Sequence, residues 1–157
     1  MSMVNDMFYS TMESPIGTLY LIGTKDYLCQ IKIHCPKEIT RQDLPLFQEA
    51  QRQLKEYFSG KRKVFQLPIF FQGTPFQEKV WRSLLNIPYG TTKSYQEIAR
   101  EIGNEKAVRA VGGAVHRNPL PLILPCHRVI GKNGSLVGFG LGLSTKKWLL
   151  EHERLEK

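Results

Sequence analysis

"SYQEIAREIGNEKAVRAVGGAV", residues 94–115, decides the fold of the second half of the chain. Ser94 with Glu97 three residues later forms a capping box, so a helix starts there. Ile98, Ala99 and Ile102 recur at helical spacing and make its buried face. Gly103 and Asn104 turn the chain, and a second short helix of small side chains runs through "KAVRAVGGAVH", 106–116. These are helix-turn-helix proportions, in which the second helix docks in a groove of DNA. That helix offers Arg109 among Ala107, Val108, Ala110, Val111, Gly112 and Gly113, with few amides or hydroxyls to read base edges. It suits phosphate contacts, shape and a wedging side chain, including entry into the minor groove. The same periodicity also suits an ordinary core helical hairpin.

Working outward, Thr74, Pro75 and Gln77 read as a second capped helix start, with Phe76, Val80, Trp81, Leu84 and Leu85 as its apolar stripe. Pro88, Tyr89 and Gly90 stop it, and a last helix runs through "STKKWLLEHERL", 144–155. Before "FFQGTPFQ" the character changes. "MFYSTM" (7–12) and "TLYLIG" (18–23) flank the turn "ESPIG" as a hairpin, and "YLCQIKIH" (27–34) is a third strand with Cys29 on the face of Ile31 and Ile33. Residues 43–58 follow a helical period with Leu46, Phe47, Ala50, Leu54, Tyr57 and Phe58 on one face, and 64–71 read as extended. The expectation is an α+β chain of two domains, an N-terminal α/β domain at 1–72 and a mainly helical C-terminal domain at 73–157.

The 157 residues are 41% hydrophobic, enough to bury a core. No apolar run reaches the roughly 18 residues of a membrane span, and "MSMVNDMFYS" has no secretory pattern, so a soluble intracellular protein is expected. Three cysteines, an odd and low count, fit a reducing compartment. Cys29, His34 and Cys35 lie close enough to suggest a metal, but the strand reading accounts for them and none is expected. The charge is uneven. Residues 1–72 hold 9 Lys/Arg and 7 Asp/Glu, net +2; residues 73–157 hold 13 and 7, net +6. A polyanion, nucleic acid above all, is the partner such a field fits.

"PLPLILPCHRVIG", 119–131, places Cys126 behind an apolar run and beside His127 and Arg128. A free thiol has a pKa of about 8.5, so a reactive cysteine needs a cation or base nearby. In an extended segment Cys126 and His127 would point to opposite sides, with a water able to bridge them. Glu153 is a carboxylate that could orient His127 in a cysteine–histidine–acid relay. A lone cysteine after such a run can equally be a small buried hydrophobe.

"NPLPLILPCHRVIG" resembles the active-site segment of the O(6)-alkylguanine-DNA alkyltransferases, also called methylated-DNA–protein-cysteine methyltransferases. "GTPFQEKVWRSLLNIPYGTTKSYQEIA", "AVRAVGGAVHRNP" and "STKKWLLEHE" resemble family motifs in order and at family spacing, so the likeness is strong over residues 74–153 and weaker through "SPIGTLYL" before them. The resemblance implies a ribonuclease H-like N-terminal domain. It implies direct reversal of DNA damage: O(6)-alkylguanine, and O(4)-alkylthymine, flipped from the duplex, with one irreversible alkyl transfer to the protein. By the same resemblance Cys126 is the acceptor, His127 the base acting through a water, and Glu153 the group that holds His127. Tyr95 sits near the flipped base, can donate to the guanine ring and can turn the 3′ phosphate. Arg109 fills the gap in the base stack, and Ser94, Ala107, Ala110, Gly112 and Gly113 meet DNA around it. Asn118 belongs to the Asn-Pro hinge. Pro121 and the carbonyls of Cys126 and Val129 shape the base pocket, and "SLVGFGLG" is its lid, with Phe139 against the base and Gly140 offering an N–H.

Many relatives have tyrosine and serine where Phe139 and Gly140 stand, which bears on the size of alkyl group accepted. The zinc pattern of some eukaryotic relatives is not reproduced, since Asn5 and Thr24 occupy two of the matching places, so neither metal nor cofactor is expected. The implied partner is alkylated double-stranded DNA met through the minor groove, by a monomer without membrane contact. It would act in the cytoplasm of a bacterium or archaeon or the nucleus of a eukaryote. Two competing readings are a non-catalytic damage binder that does not need Cys126, and a turnover hydrolase built on Cys126, His127 and Glu153.

Overall fold

Ser14 and Gly17 close the first hairpin around a two-residue turn. β1 (Phe8–Ser14) and β2 (Gly17–Gly23) pair antiparallel from Phe8↔Gly23 to Ser14↔Gly17. The Ser14 hydroxyl donates to the Gly17 carbonyl at 2.7 Å and accepts from Ile16 N at 3.2 Å, tying the turn. The chain is seen in a computed structural model, which describes residues 6–132, 134 and 141–155. It separates into two compact units, Met1–Phe71 and Gln72–Lys157.

In the first unit β3 (Leu28–Lys32) pairs antiparallel with β2, and β4 (Thr40–Arg41) pairs parallel with β1, giving the order β3-β2-β1-β4. Period-two alternation buries Ser10 and Met12 from β1, Leu19 and Leu21 from β2, and Cys29 and Ile31 from β3. Ile33 falls beyond the strand and is only half-buried. α1 (Pro45–Phe58) starts two residues later than its periodicity suggests. Pro45, with no N–H to leave unpaired, takes the first turn, while the Asp43 carboxylate accepts from Ser10 Oγ at 2.9 Å instead of capping. Phe47, Ala50, Leu54 and Tyr57 form its buried face, joined by Gln53, whose amide exchanges two hydrogen bonds with the Gln66 backbone. Of the 64–71 stretch, Val64 lies in a bend and Ile69 bridges Leu28 in parallel, with Leu28 N donating to the Pro68 carbonyl and Phe70 N to the Leu28 carbonyl.

In the second unit α2 (Pro75–Leu84) and α3 (Tyr95–Glu101) begin on the two capping boxes, Thr74/Gln77 and Ser94/Glu97, with both reciprocal bonds present in each. Leu85 is the end residue of α2, not part of its stripe, and is 51% exposed. Gly103, at φ +82°, ends α3 in the left-handed region, and α4 (Val108–His116) follows. Trp81 Nε1 donates to the Ala114 carbonyl at 2.8 Å and pins α2 to α4. β5 (Lys93–Ser94) and β6 (Val129–Ile130) form a short parallel pair that draws the start of α3 to the segment after Cys126. α5 (Leu143–Leu155) packs on that segment. The architecture is α+β, a sheet with one helix followed by a helical unit, as the sequence pattern indicates.

Candidate active site and DNA-facing helix

The run before Cys126 is buried from Leu120 through Pro125. Leu122 stands at φ +79°, and Leu124 N returns to the Leu120 carbonyl at 2.8 Å, so the segment folds back on itself instead of running extended. Asn118 fixes this loop from both sides: its Nδ2 donates to the Leu124 carbonyl at 2.7 Å and its Oδ1 accepts from Leu120 N at 2.8 Å. Asn118 thereby braces the loop that leads to the cysteine, and Pro121 and Val129 are buried.

Cys126–Arg128 is a turn of 3-10 helix, which corrects the expectation of an extended strand. Successive side chains are then about a third of a turn apart rather than opposed. Cys126 is 4% exposed and His127 fully buried, and no direct hydrogen bond joins the thiol to the imidazole. His127 Nε2 lies 2.5 Å from Glu153 Oε2. With the carboxylate as acceptor, Nε2 carries the proton, which leaves Nδ1 as the basic nitrogen. Nδ1 is buried and has no hydrogen-bond partner among the described residues.

Glu153 holds more than the histidine. Arg128 Nε donates to its Oε1 at 2.8 Å and Nη2 to Oε2 at 3.0 Å, and Gly90 N donates to Oε1 at 3.2 Å. Arg128 is anchored in turn by the Ile87 carbonyl at 2.7 Å and lies over the Tyr89 ring, 5.7 Å from its centroid. Burial alone would raise the Glu153 carboxyl, but the hydrogen bonds and charges of His127 and Arg128 outweigh it and hold the group well below the usual carboxylate range. Burial lowers the His127 imidazole, against the pull of Glu153. The imidazole is thus neutral and able to accept a proton.

Burial pushes the Cys126 thiol up to about 11, opposed by the Asn118 amide, the charge of Lys146 and the N–H groups of Cys126 and His127. Tyr95, at the first position of α3, has its phenol raised by burial and by the same cysteine. Arg128 is adjacent to His127 in sequence, but its guanidinium is turned onto Glu153 and not onto the thiol. Among the described residues, Lys146, fully buried with Nζ 5.9 Å from the Tyr95 ring centroid, is a cation whose charge lowers the Cys126 thiol. The sequence carried one signal for it, its place seven residues before Glu153 on one helix.

Arg109, Ala110 and Gly113 are exposed along one side of α4, with Lys106, His116 and Arg117 at its ends. Ala107 caps α4 and is half-buried, as is Gly112; Ser94 spends its hydroxyl on the α3 cap. A Cβ at Gly112 would meet only Tyr95 Cδ1 at 4.0 Å, and one at Gly113 would meet nothing within 4 Å. Among the described residues, no packing contact requires either glycine. Phe139 and Gly140 lie outside the described residues, as do Asn5 and most of the expected lid.

Comparison with known proteins bears on this arrangement directly. The family model for the 6-O-methylguanine DNA methyltransferase DNA binding domain matches residues 75–155, and that for the ribonuclease-like domain of the same family matches 7–71. The chain belongs to the 6-O-methylguanine DNA methyltransferase family. It is 46% identical over 154 residues to a methylated-DNA–protein-cysteine methyltransferase of Methanosarcina acetivorans, covering 94% of this chain and 98% of that one. A constitutive methyltransferase of the same name from Bacillus subtilis is 43% identical over 158 residues, covering 94% and 96%. The crystal structure of Mycobacterium tuberculosis OGT in complex with DNA superposes with a TM-score of 0.90 at 43% identity, covering 95% of this chain and 94% of that one.

Proposed function

We propose that Cys126 takes the alkyl group from O(6)-alkylguanine, and from O(4)-alkylthymine, flipped out of duplex DNA, in one irreversible transfer. Direct reversal of DNA alkylation is the reaction of the family, and DNA is the partner. The observation that carries the assignment within this chain is the buried His127–Glu153 contact of 2.5 Å, which aims one ring nitrogen at the carboxylate and leaves the other as a base. The Cys126 proton passes through a bridging water to His127 Nδ1, and Glu153 stabilises the resulting imidazolium. The thiolate attacks the alkyl carbon, the bond from that carbon to the base oxygen breaks, and the base leaves with that electron pair and takes a proton from the Tyr95 phenol, which the proton held on His127 makes good through water. The thioether has no route back, so each molecule acts once.

The α4 face supports a minor-groove approach by a monomer. Its centre is small and its single long side chain, Arg109, stands where a stand-in for the flipped base is needed, offsetting part of the few kcal/mol that extrusion costs. No described helix is long and apolar enough to cross a membrane. The compartment would be that of the DNA, cytoplasm or nucleus according to the cell.

Intact-mass measurement with an oligonucleotide carrying O(6)-methylguanine tests the reading. One methyl per protein is expected, lost in Cys126→Ala. No gain with excess oligonucleotide, or continued turnover, would refute it. Arg109→Ala should slow repair of duplex more than transfer from free base, and binding should weaken steeply with salt as counterion release is suppressed.

A further inference from the structure

A lysine ammonium is costly to bury unless something charged or strongly polar repays its lost hydration. Lys146 is fully buried in the first turn of α5, and Glu153 is 1% exposed two turns later. Seven residues at 1.5 Å each separate them by about 10 Å along the axis, close to one face. Leu149, fully buried, lies between them on that face. The 3-10 turn Cys126–Arg128 packs on this helix. At one end His127 and Arg128 engage Glu153. At the other, the buried Lys146 ammonium lies 5.9 Å from the Tyr95 ring centroid, and its charge lowers the Cys126 thiol.

We propose that Lys146 is the positioning cation for the Cys126 thiolate: one face of α5 presents an ammonium to the cysteine and, two turns on, a carboxylate to the histidine. Moving the thiol proton to His127 creates a negative charge at the Lys146 end and a positive charge at the Glu153 end. The helix therefore favours the charge-separated form at both ends, without either residue touching the alkyl carbon. Among the described residues, the other ionisable groups near the thiol are Tyr95 from α3, and His127 and Arg128 from its own turn, both directed to Glu153. The ammonium works against the burial that holds the thiol neutral, so without it the thiol would ionise less readily still. This role for Lys146 rests on the reading of Cys126 as acceptor.

Lys146→Met keeps the length and removes the charge. An opposite charge in close range moves a pKa by about one unit or more, so alkylation of Cys126 should slow about tenfold or more at neutral pH, with the inflection of rate against pH moved upward. Lys146→Arg should recover most of the wild-type profile. The rate is read twice, with iodoacetamide alone and with the methylated oligonucleotide, circular dichroism confirming the fold. A folded Lys146→Met protein with the wild-type iodoacetamide profile overturns the proposal. If that variant does not fold, the wild-type protein answers by carbon NMR of the lysine Cε. Lys146 should show an inflection at the thiol's pKa that disappears in Cys126→Ala, because coupled groups sense each other reciprocally; an unchanged titration overturns the proposal. A wild-type protein that takes no methyl from DNA yet shows the lysine-dependent iodoacetamide profile would refute the acceptor reading alone.

Discussion

Replacing Gly113 by alanine should make this protein more stable and less able to hold DNA. A helix-interior glycine costs about 0.8–1 kcal/mol relative to alanine. Gly113 sits inside α4 and is exposed, and an added Cβ would meet nothing within 4 Å. The full propensity gain, about 1 kcal/mol, is therefore available with no packing loss. For a domain of 60–100 residues that is a rise of about 4–8 °C in Tm. Gly103 provides the contrast. It also has open space around its missing Cβ, but its φ of +82° is left-handed, so alanine there should cost about 1–2 kcal/mol. On DNA the sign at Gly113 reverses. If this face presses against the duplex, an extra methyl in the contact costs about 1–3 kcal/mol, or about fivefold to a hundredfold in Kd. Thermal unfolding of the free proteins and titration of a labelled duplex at fixed salt measure both quantities. A Gly113→Ala protein that is less stable than wild type, or binds duplex equally well, would refute the reasoning.

Four further outcomes are expected. Glu153→Gln should destabilise by about 3–5 kcal/mol in urea, because it leaves the buried Arg128 guanidinium without its carboxylate. The pH dependence follows from the same groups. The His127 imidazole is lowered in the folded state, so unfolded chains bind more protons below about pH 6.5 and stability falls from there. The lowered Glu153 adds stability above about pH 4.3 that is lost as pH falls toward its folded value, and Glu153→Gln should flatten that acid limb. Trp81→Phe removes the bond to the Ala114 carbonyl and should cost about 1–3 kcal/mol by denaturant titration. Glu38, exposed at φ +61°, should gain about 1 kcal/mol as glycine, read as a higher Tm.

What the sequence displays and what it conceals divide by the range of the interactions. The starts of α2 and α3 are local chemistry, a hydroxyl and an amide or carboxylate three residues apart, and both are visible in one dimension. The pairing of Thr40 and Arg41 with Phe8 and Tyr9 is not, because two residues carry no period and their partner is distant in the chain. Gln53 looks like a solvated helix position until the Gln66 backbone arrives to satisfy its amide. The site shows the same split. Cys126, His127 and Glu153 stand out by residue type and resemblance, whereas the 3-10 conformation depends on Asn118 bracing Leu120 and Leu124. Lys146 is hidden for a further reason. Two adjacent lysines at a helix start read as hydrated charges, and only the packed turn shows that the first faces inward.

The seven-residue interval between Lys146 and Glu153 also limits how the gene for this protein can change in length. One codon added or lost between them would turn Glu153 by about 100° around α5 relative to Lys146 and shift it by about 1.5 Å along the axis. The carboxylate would leave His127 and Arg128 while the ammonium stayed with the cysteine. Substitutions at the exposed Lys147 or Glu151 leave that interval intact. Length variation in this part of the chain should therefore collect before Lys146 or after Glu153, and not between them.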